Sequence, residues 1–170
     1  DIFTDLDITA MLASHLERKA KATITLTPVD DPTNYGLIEA NTEGRVTRFL
    51  EKPSWDQVTT NTINAGTYVL SPEVLTHIPP QANFSFERDL FPLLLDHGEP
   101  IFAYPSSAYW IDIGTPEKYL QLQRDLLSSQ SSQNIITPNN DLIDEQSYVH
   151  PTVQVEGTVV IGGDCTIEQN

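Results

Sequence analysis

Segments typical of β-strands alternate with segments of helical periodicity along most of this chain, and this order constrains the fold more than any other feature. The predicted strands are residues 22–27, 36–40, 45–50, 62–70 and 101–104, and the predicted helices are residues 7–21, 71–78, 86–96 and 116–127. Alternation of this kind favours an α/β layer architecture with a largely parallel sheet. Turn residues at 41–44 predict one hairpin, which adds antiparallel pairing. We therefore expect an α/β fold with a mixed sheet.

The first predicted helix carries apolar residues on one side. Ile8, Leu12 and Leu16 recur at four-residue spacing among polar residues, and Asp7 precedes them as a candidate N-cap. The next segment, residues 22–27, alternates threonine with apolar residues. This alternation predicts a sheet strand with one polar side.

The charge balance excludes one large class of function. The chain has 24 acidic and 9 basic residues, a formal net charge of -15, whereas proteins that bind nucleic acid through its phosphates need a basic face. Its one cysteine, Cys165, cannot form an internal disulfide, and no segment has the length of a membrane span or the pattern of a signal peptide. We therefore expect no nucleic-acid or membrane partner and a cytoplasmic location.

One acidic residue stands between a strand pattern and a helix start. Trp110 and its neighbours favour a strand, and Thr115 followed by Pro116 is a typical helix entry. Asp112 is therefore predicted at the carboxyl end of a strand, where open α/β sheets bind ligands and where Mg²⁺ finds carboxylate and phosphate oxygens. The alternative is that Asp112 caps a turn.

The last part of the chain has a different pattern. A polar run at residues 128–134 predicts the end of a domain. Beyond it, branched aliphatic residues recur every six residues at Val149, Val155, Ile161 and Ile167. A hexapeptide period is typical of a β-helix, whose coils bury their aliphatic residues by stacking. A repeat of this length is too short to be stable alone. We therefore expect the natural chain to continue beyond residue 170.

The remaining motifs gain meaning from their order. They are Asp1 with Thr4–Leu6, Thr33–Gly36, Phe49–Pro53, Ile63–Leu70, Phe86–Pro92 and the stretch Tyr109–Tyr119. Together they resemble the sugar-phosphate nucleotidyltransferases, most closely the branch similar to mannose-1-phosphate guanylyltransferase. The resemblance implies a partial Rossmann-like nucleotidyltransferase domain over residues 1–127, a linker over 128–147 and the beginning of a left-handed parallel β-helix over 148–170.

Members of that family join a sugar 1-phosphate to a nucleoside triphosphate and release pyrophosphate. The resemblance implies that Asp1 and Asp112 are the two carboxylates that hold Mg²⁺. It also implies that Lys52 is the catalytic lysine that binds the sugar phosphate, and that Glu51 and Asn64 bind sugar hydroxyls. Judged without the resemblance, the residue type of Lys52 favours a surface ion pair.

Two glycines complete the predicted substrate site. The resemblance implies that Gly36 and Gly66 let backbone amides approach the sugar. Considered alone, they would be turn or bulge glycines, and Asn64 would be a polar residue at a strand edge. The sequence Asn64–Gly66 favours mannose 1-phosphate and GTP by resemblance, while glucose 1-phosphate and other bases stay open.

The family binds its nucleotide with a glycine-rich loop near the start of the protein, and no such segment occurs in this sequence. We therefore expect these 170 residues to be a fragment that lacks the N-terminal nucleotide-binding loop, catalyses nothing alone and binds nucleoside triphosphate poorly. In the intact protein, we expect homo-oligomers formed through the β-helix.

Two other functions stay open at this point. A regulatory or assembly paralogue would bind a sugar nucleotide without catalysis, and a hexapeptide-repeat acyltransferase would use the β-helix. The histidines share no metal-ligand spacing with one another or with Cys165, and they are predicted to be ordinary surface or helix residues; they are His15, His77, His97 and His150.

Overall fold

The computed structural model describes residues 1–127, 141–154 and 159–169. Within them the helices are α1 Ile8–Glu17, α2 Phe91–Asp96 and α3 Pro116–Leu127. The strands are β1 Ile2–Thr4, β2 Ala22–Pro28, β3 Gly36–Ala40, β4 Val46–Glu51, β5 Thr62–Leu70, β6 Ile101–Pro105, β7 Trp110–Asp112, β8 Asp141–Ile143, β9 Tyr148–Val149, β10 Val159–Ile161 and β11 Thr166–Ile167. No helix in these ranges is both long and apolar enough to cross a membrane.

The chain divides into two compact units. One consists of Ile2 and Thr4–Trp110, and the other consists of Asp1, Phe3 and Ile111–Asn170. The first unit contains the main sheet with α1 and α2. The second contains α3 and the short strands that follow it.

The main sheet has five strands in the order β4-β3-β5-β2-β6. Only β2 and β6 run parallel, whereas the pairs β2–β5, β3–β4 and β3–β5 are antiparallel. The prediction of a mixed sheet is confirmed, and the prediction that it is largely parallel is wrong. One physical reason is connectivity: the short turn at 41–44 joins β3 to β4 as a hairpin, without the crossover helix that a parallel pair would need.

The core of the first unit lies between the sheet and α2. Its fully buried residues include Ile24, Ile38 and Phe91, and the Phe91 ring lies 5.9 Å from that of Phe49 and 5.0 Å from that of Tyr68. The predicted helix at 86–96 begins as a π-helical turn, Phe86–Leu90, and continues as α2. Pro92 is accommodated because it lies in the first turn of α2, where its missing N–H is not needed.

The first helix is oriented differently from its predicted amphipathic pattern. Asp7 caps it as predicted, accepting a hydrogen bond from the Ala10 amide at 2.9 Å, but the apolar side is exposed: Ile8 by 51%, Leu12 by 44% and Leu16 by 66%. Met11 and His15 are buried instead, one position along the helix. His15 is therefore a helix residue, one of the two alternatives predicted for it, and it is buried.

The reason lies in β2, which was predicted to be a sheet strand with one polar side. Both sides of β2 are buried, because the helix covers the threonines. The Thr25 hydroxyl donates to Met11 Sδ at 3.2 Å, and Thr23 Oγ1 lies 2.9 Å from His15 Nδ1. Helical periodicity does not report which residues on the sheet face the helix.

The second unit carries two parallel strand pairs. In β8–β10, Ile143 lies opposite Ile161, and in β9–β11, Val149 lies opposite Ile167. Each pairing joins residues 18 positions apart, the length of three hexapeptides. Residues 141–147 of the predicted linker contain β8, while residues 128–140 and Val155 lie outside the described residues. The β-helix itself stays a prediction.

Candidate functional site

Lys52 follows directly after the last residue of β4 in a rare backbone conformation. Its φ is +48°, and its amide donates to the Tyr35 carbonyl at 3.0 Å. A left-handed conformation costs roughly 1–2 kcal/mol for a residue with a Cβ, and such strain is concentrated at functional sites. The exposed Lys52 ammonium makes no hydrogen bond or ion pair with any residue that the structure describes. The predicted alternative of a surface ion pair is therefore not found in this part of the chain.

Gly36 and Glu51 lie opposite each other in the β3–β4 pair. A Cβ on Gly36 would lie 2.9 Å from Phe49 Cζ and 3.1 Å from Glu51 Oε2. Since real Cβ atoms do not come that close to a ring carbon, position 36 needs glycine for space. The Glu51 carboxylate lies against the Gly36 backbone, so the structure brings together three of the predicted residues: Gly36, Glu51 and Lys52.

Asn64 and Gly66 form a tight loop where β5 bulges. Opposite β2, Ile24 pairs with Tyr68 and Leu26 with Asn64, so β5 has extra residues at this point. Gly66 has a φ of +73° and donates its amide hydrogen to Asn64 Oδ1 at 3.0 Å. Bulges of this kind redirect side chains and occur next to active sites.

Two aromatic residues connect the Lys52 segment to the Asn64 loop. The edge-on contact between the rings of Tyr35 and Trp110 has a centroid distance of 5.7 Å. The Trp110 indole N–H donates to the Ala65 carbonyl at 2.9 Å, between Asn64 and Gly66. Sequence reasoning assigned no role to Tyr35 or Trp110, although both stand in motifs of the resemblance.

Behind Asn64 lies a row of hydrogen bonds. Asn64 Nδ2 donates to the Tyr68 hydroxyl at 2.7 Å, and the Tyr68 hydroxyl donates to Glu87 Oε1 at 2.8 Å. The Ser85 hydroxyl donates to Glu87 Oε2 at 2.9 Å. Sequence reasoning did not single out Tyr68 or Glu87, because its motifs carry no signal that the two side chains meet.

The ionisation states in this row are well defined. Burial, and then the nearby Glu87 carboxylate, raise the pKa of Tyr68 well above its usual range. Burial alone would raise the pKa of Glu87, but hydrogen bonds from Tyr68, its own backbone amide and Ser85 outweigh it, and the pKa is lowered. At neutral pH the phenol keeps its proton and Glu87 is a carboxylate.

Asp112 occupies the position predicted from the sequence. It is the last residue of β7, and Thr115 accepts a hydrogen bond from the Lys118 amide at 3.3 Å as the N-cap of α3. Asp112 Oδ1 accepts from the Gly114 amide at 3.1 Å, so the turn-capping alternative also describes it. The two functions are compatible, since a carboxylate has further lone pairs to offer a metal ion.

Asp1 and Asp112 are neighbours in the second unit. The Ile113 amide donates to the Asp1 carbonyl at 2.8 Å, and the Asp1 nitrogen lies 3.8 Å from Asp112 Oδ1. The Asp112 side chain is 33% exposed and that of Asp1 is 93% exposed. Among the described residues there is no group of three or more histidine, cysteine or acidic side chains placed to hold a metal ion. Two carboxylates still suit Mg²⁺, which usually keeps several waters and takes its other ligands from substrate phosphates.

Comparisons with known proteins all find similarity to nucleotidyltransferases. A family model described as nucleotidyl transferase matches residues 1–129. The chain is 32% identical over 179 residues to a UTP–glucose-1-phosphate uridylyltransferase from Synechocystis, and 32% identical over 170 residues to a mannose-1-phosphate guanylyltransferase from Mycobacterium tuberculosis. These alignments cover 99% and 98% of this chain but 45% and 47% of the two proteins.

A solved structure gives a similar result. HddC from Yersinia pseudotuberculosis, complexed with GMP-PN, superposes with a TM-score of 0.56 and 32% sequence identity. The superposition covers 71% of this chain and 50% of HddC. The chain thus spans about half the length of the relatives that it matches.

Proposed function

Because this chain belongs to the nucleotidyl transferase family, we propose that it forms the sugar-phosphate side of an enzyme that transfers a nucleotidyl group from a nucleoside triphosphate to a sugar 1-phosphate. The observation that carries the proposal is the Lys52 ammonium, which stands in a strained backbone beside Glu51 and Gly36 with no partner among the described residues. An exposed ammonium without a partner among these residues is suited to bind an anionic substrate. The names of the two curated relatives, both sugar-1-phosphate nucleotidyltransferases, support the same reaction.

In this reaction an oxygen of the sugar phosphate attacks the α-phosphorus of the nucleoside triphosphate. The new oxygen–phosphorus bond forms as the bond to the β-phosphate breaks, and pyrophosphate leaves. Lys52 would bind the attacking phosphate and offset its charge, so that two anions can approach each other. Glu51 would accept hydrogen bonds from sugar hydroxyls, and Asn64 would donate to one hydroxyl and accept from another, so that the two residues orient the sugar.

Mg²⁺ is the cofactor that we propose, held by Asp1 and Asp112. When bound, it would coordinate phosphate oxygens and neutralise charge on the reacting phosphates. Among the residues that the structure describes, neither carboxylate belongs to a group of three or more metal-binding side chains, so the site would take its remaining ligands from water and the phosphates of the substrate.

Among substrates we propose mannose 1-phosphate and GTP. The similarity to the M. tuberculosis mannose-1-phosphate guanylyltransferase and to the HddC complex with GMP-PN supports this choice. The similarity to the Synechocystis enzyme, whose name specifies glucose 1-phosphate and UTP, supports the reaction but another pair. We further propose a cytoplasmic protein that assembles into homo-oligomers through a β-helix.

The decisive experiment uses the full-length protein and compares two lysine variants. Lys52→Ala is measured beside Lys19→Ala, because Lys19 is also exposed and has a φ of +51°, so both substitutions affect similar backbone conformations. Pyrophosphate release is followed with Mg²⁺ and each pairing of mannose or glucose 1-phosphate with GTP, UTP, ATP or dTTP. We expect Lys52→Ala to lower kcat/KM for the sugar phosphate by about 10²–10³-fold, typical for loss of one charge-stabilising group.

Lys19→Ala should leave the rate within about twofold, since surface substitutions away from such features have small effects. A wild-type protein that releases no pyrophosphate with any pair would contradict the proposed reaction. Equal losses in the two variants would contradict the role of Lys52 while leaving the reaction intact.

A further inference from the structure

The row formed by Asn64, Tyr68, Glu87 and Ser85 allows only one arrangement of protons. Glu87 is a carboxylate and has no proton, so the Tyr68 hydroxyl must donate its single proton to Glu87 Oε1, 2.8 Å away. The Tyr68 oxygen can then only accept from Asn64, 2.7 Å away. The atom of Asn64 that faces Tyr68 must therefore be the amide nitrogen.

The other end of the Asn64 amide fits the same assignment. Oδ1 accepts from the Gly66 amide at 3.0 Å, which a nitrogen could not do. Since the oxygen and nitrogen of an asparagine side chain differ little in size, it is hydrogen bonding that selects between its two orientations. Tyr68 selects one end and Gly66 selects the other.

Glu87 is itself held from a second direction. Its Oε2 accepts from Ser85, whose hydroxyl also caps the π-helical turn by accepting from the Arg88 amide at 3.2 Å. The Tyr68 ring packs against Phe91 in the core. The row therefore connects a site residue to the buried core of the first unit.

We propose that Tyr68 and Glu87 are positioning residues, which lock the Asn64 amide in the orientation that binds the hydroxyls of the sugar 1-phosphate. This inference rests on the proposed function. One Nδ2 hydrogen and one Oδ1 lone pair of Asn64 have no partner among the described residues. Locked in this way, Asn64 offers the sugar one donor and one acceptor at defined positions. With the amide reversed, donor and acceptor would exchange places and meet the wrong atoms of a sugar hydroxyl pair.

The test uses three variants of the full-length enzyme with steady-state kinetics for both substrates. Tyr68→Phe removes the acceptor for Asn64, and Glu87→Ala frees the Tyr68 proton to point at Asn64. Either change removes one of the two hydrogen bonds that fix the amide and leaves only the bond from Gly66 to hold its orientation. Each should raise KM for the sugar 1-phosphate by about tenfold, the effect of losing roughly one oriented hydrogen bond. The KM for the nucleotide and kcat should stay within about twofold.

Glu87→Gln is the conservative variant, because its amide oxygen can still accept from Tyr68. It should keep KM for the sugar 1-phosphate within threefold of the wild type. Matched controls are Tyr104→Phe on β6 and Glu39→Ala on β3, which remove a hydroxyl and a carboxylate outside this row. Both should leave every constant within twofold.

KM for the sugar 1-phosphate separates a change in the orientation of Asn64 from a loss of stability, because KM does not depend on the fraction of the enzyme that is folded. Urea midpoints of all variants are measured in parallel. Tyr68→Phe with unchanged KM for the sugar 1-phosphate, or Glu87→Ala equal to Glu87→Gln, would overturn the inference while the proposed function stands. A wild-type enzyme that uses no sugar 1-phosphate would overturn both.

Discussion

Substituting Gly66 tests whether the tight loop formed by Asn64 and Gly66 needs glycine at this position. In Gly66→Ala the new Cβ meets two unfavourable conditions: the φ of +73° and the Ile2 side chain, whose Cγ1 lies 3.2 Å from the Cβ position. The left-handed conformation costs roughly 1–2 kcal/mol for alanine, and the reduced entropy of the unfolded chain returns about 0.4–1 kcal/mol. Displacing Ile2 from its rotamer adds about 0.5–1.5 kcal/mol. The free energy of unfolding should therefore fall by about 0.5–3 kcal/mol.

Gly98→Ala is the matched control. Gly98 follows α2 with a φ of +70°, and nothing lies within 4 Å of its Cβ position. It should lose the backbone part alone, about 1 kcal/mol. The assay is urea denaturation of the full-length protein, with KM for the sugar 1-phosphate measured on the same preparations. Only Gly66→Ala should also raise KM, because only Gly66 donates to Asn64.

Equal stabilities of the two variants would refute the argument that Ile2 crowds position 66. An unchanged KM in Gly66→Ala would show that the loop geometry is not needed for binding the sugar phosphate.

Two further predictions concern charge. Asp112→Asn keeps the oxygen that accepts from the Gly114 amide but loses the negative charge, so the Mg²⁺ concentration for half-maximal pyrophosphate release should rise at least tenfold. The control is Asp144→Asn, which changes a similar turn made with Gln146 and should leave that Mg²⁺ concentration unchanged. Equal effects of the two substitutions would argue against Asp112 as a metal ligand. Burial lowers the pKa of His15, and the smaller effect of the Glu73 charge raises it. Because the unfolded chain therefore binds a proton at this histidine more readily than the folded chain does, the free energy of unfolding should fall as the pH drops below about 6.5. In urea titrations His15→Gln should flatten that pH dependence, and an unaltered slope would show that His15 does not cause it.

Much of the secondary structure could be predicted because it depends on local chemistry. The Asp7 cap of α1, the Thr115–Pro116 start of α3 and the strands β2, β3 and β5 follow from side chains within a few positions of each element. Which strands become neighbours depends on contacts between distant parts of the chain. For this reason the mostly antiparallel pairing of the main sheet differed from the expected one.

In the substrate site, too, the sequence indicated what depends on local motifs and did not reveal what depends on contacts between distant parts of the chain. The family resemblance assigned Gly36, Glu51 and Lys52 to the substrate site, and the hairpin predicted at 41–44 pairs the strand that begins at Gly36 with the strand that ends at Glu51. The sequence motifs did not reveal that Tyr35 and Trp110, 75 positions apart, connect Lys52 to the Asn64 loop. Ring contacts and hydrogen bonds at such separations form only when the sheet is assembled, and no local pattern records them.

The sequence by itself determined the α/β class, the family resemblance and the residue types that a sugar-phosphate site requires, because these depend on composition, order and short-range spacing. The tertiary structure decided which way α1 faces, why positions 36 and 66 must be glycine, and how Asn64 is oriented. Each of those depends on atoms that approach within about 3–4 Å only after folding, when Phe49, Ile2 and the Tyr68–Glu87 pair reach their places.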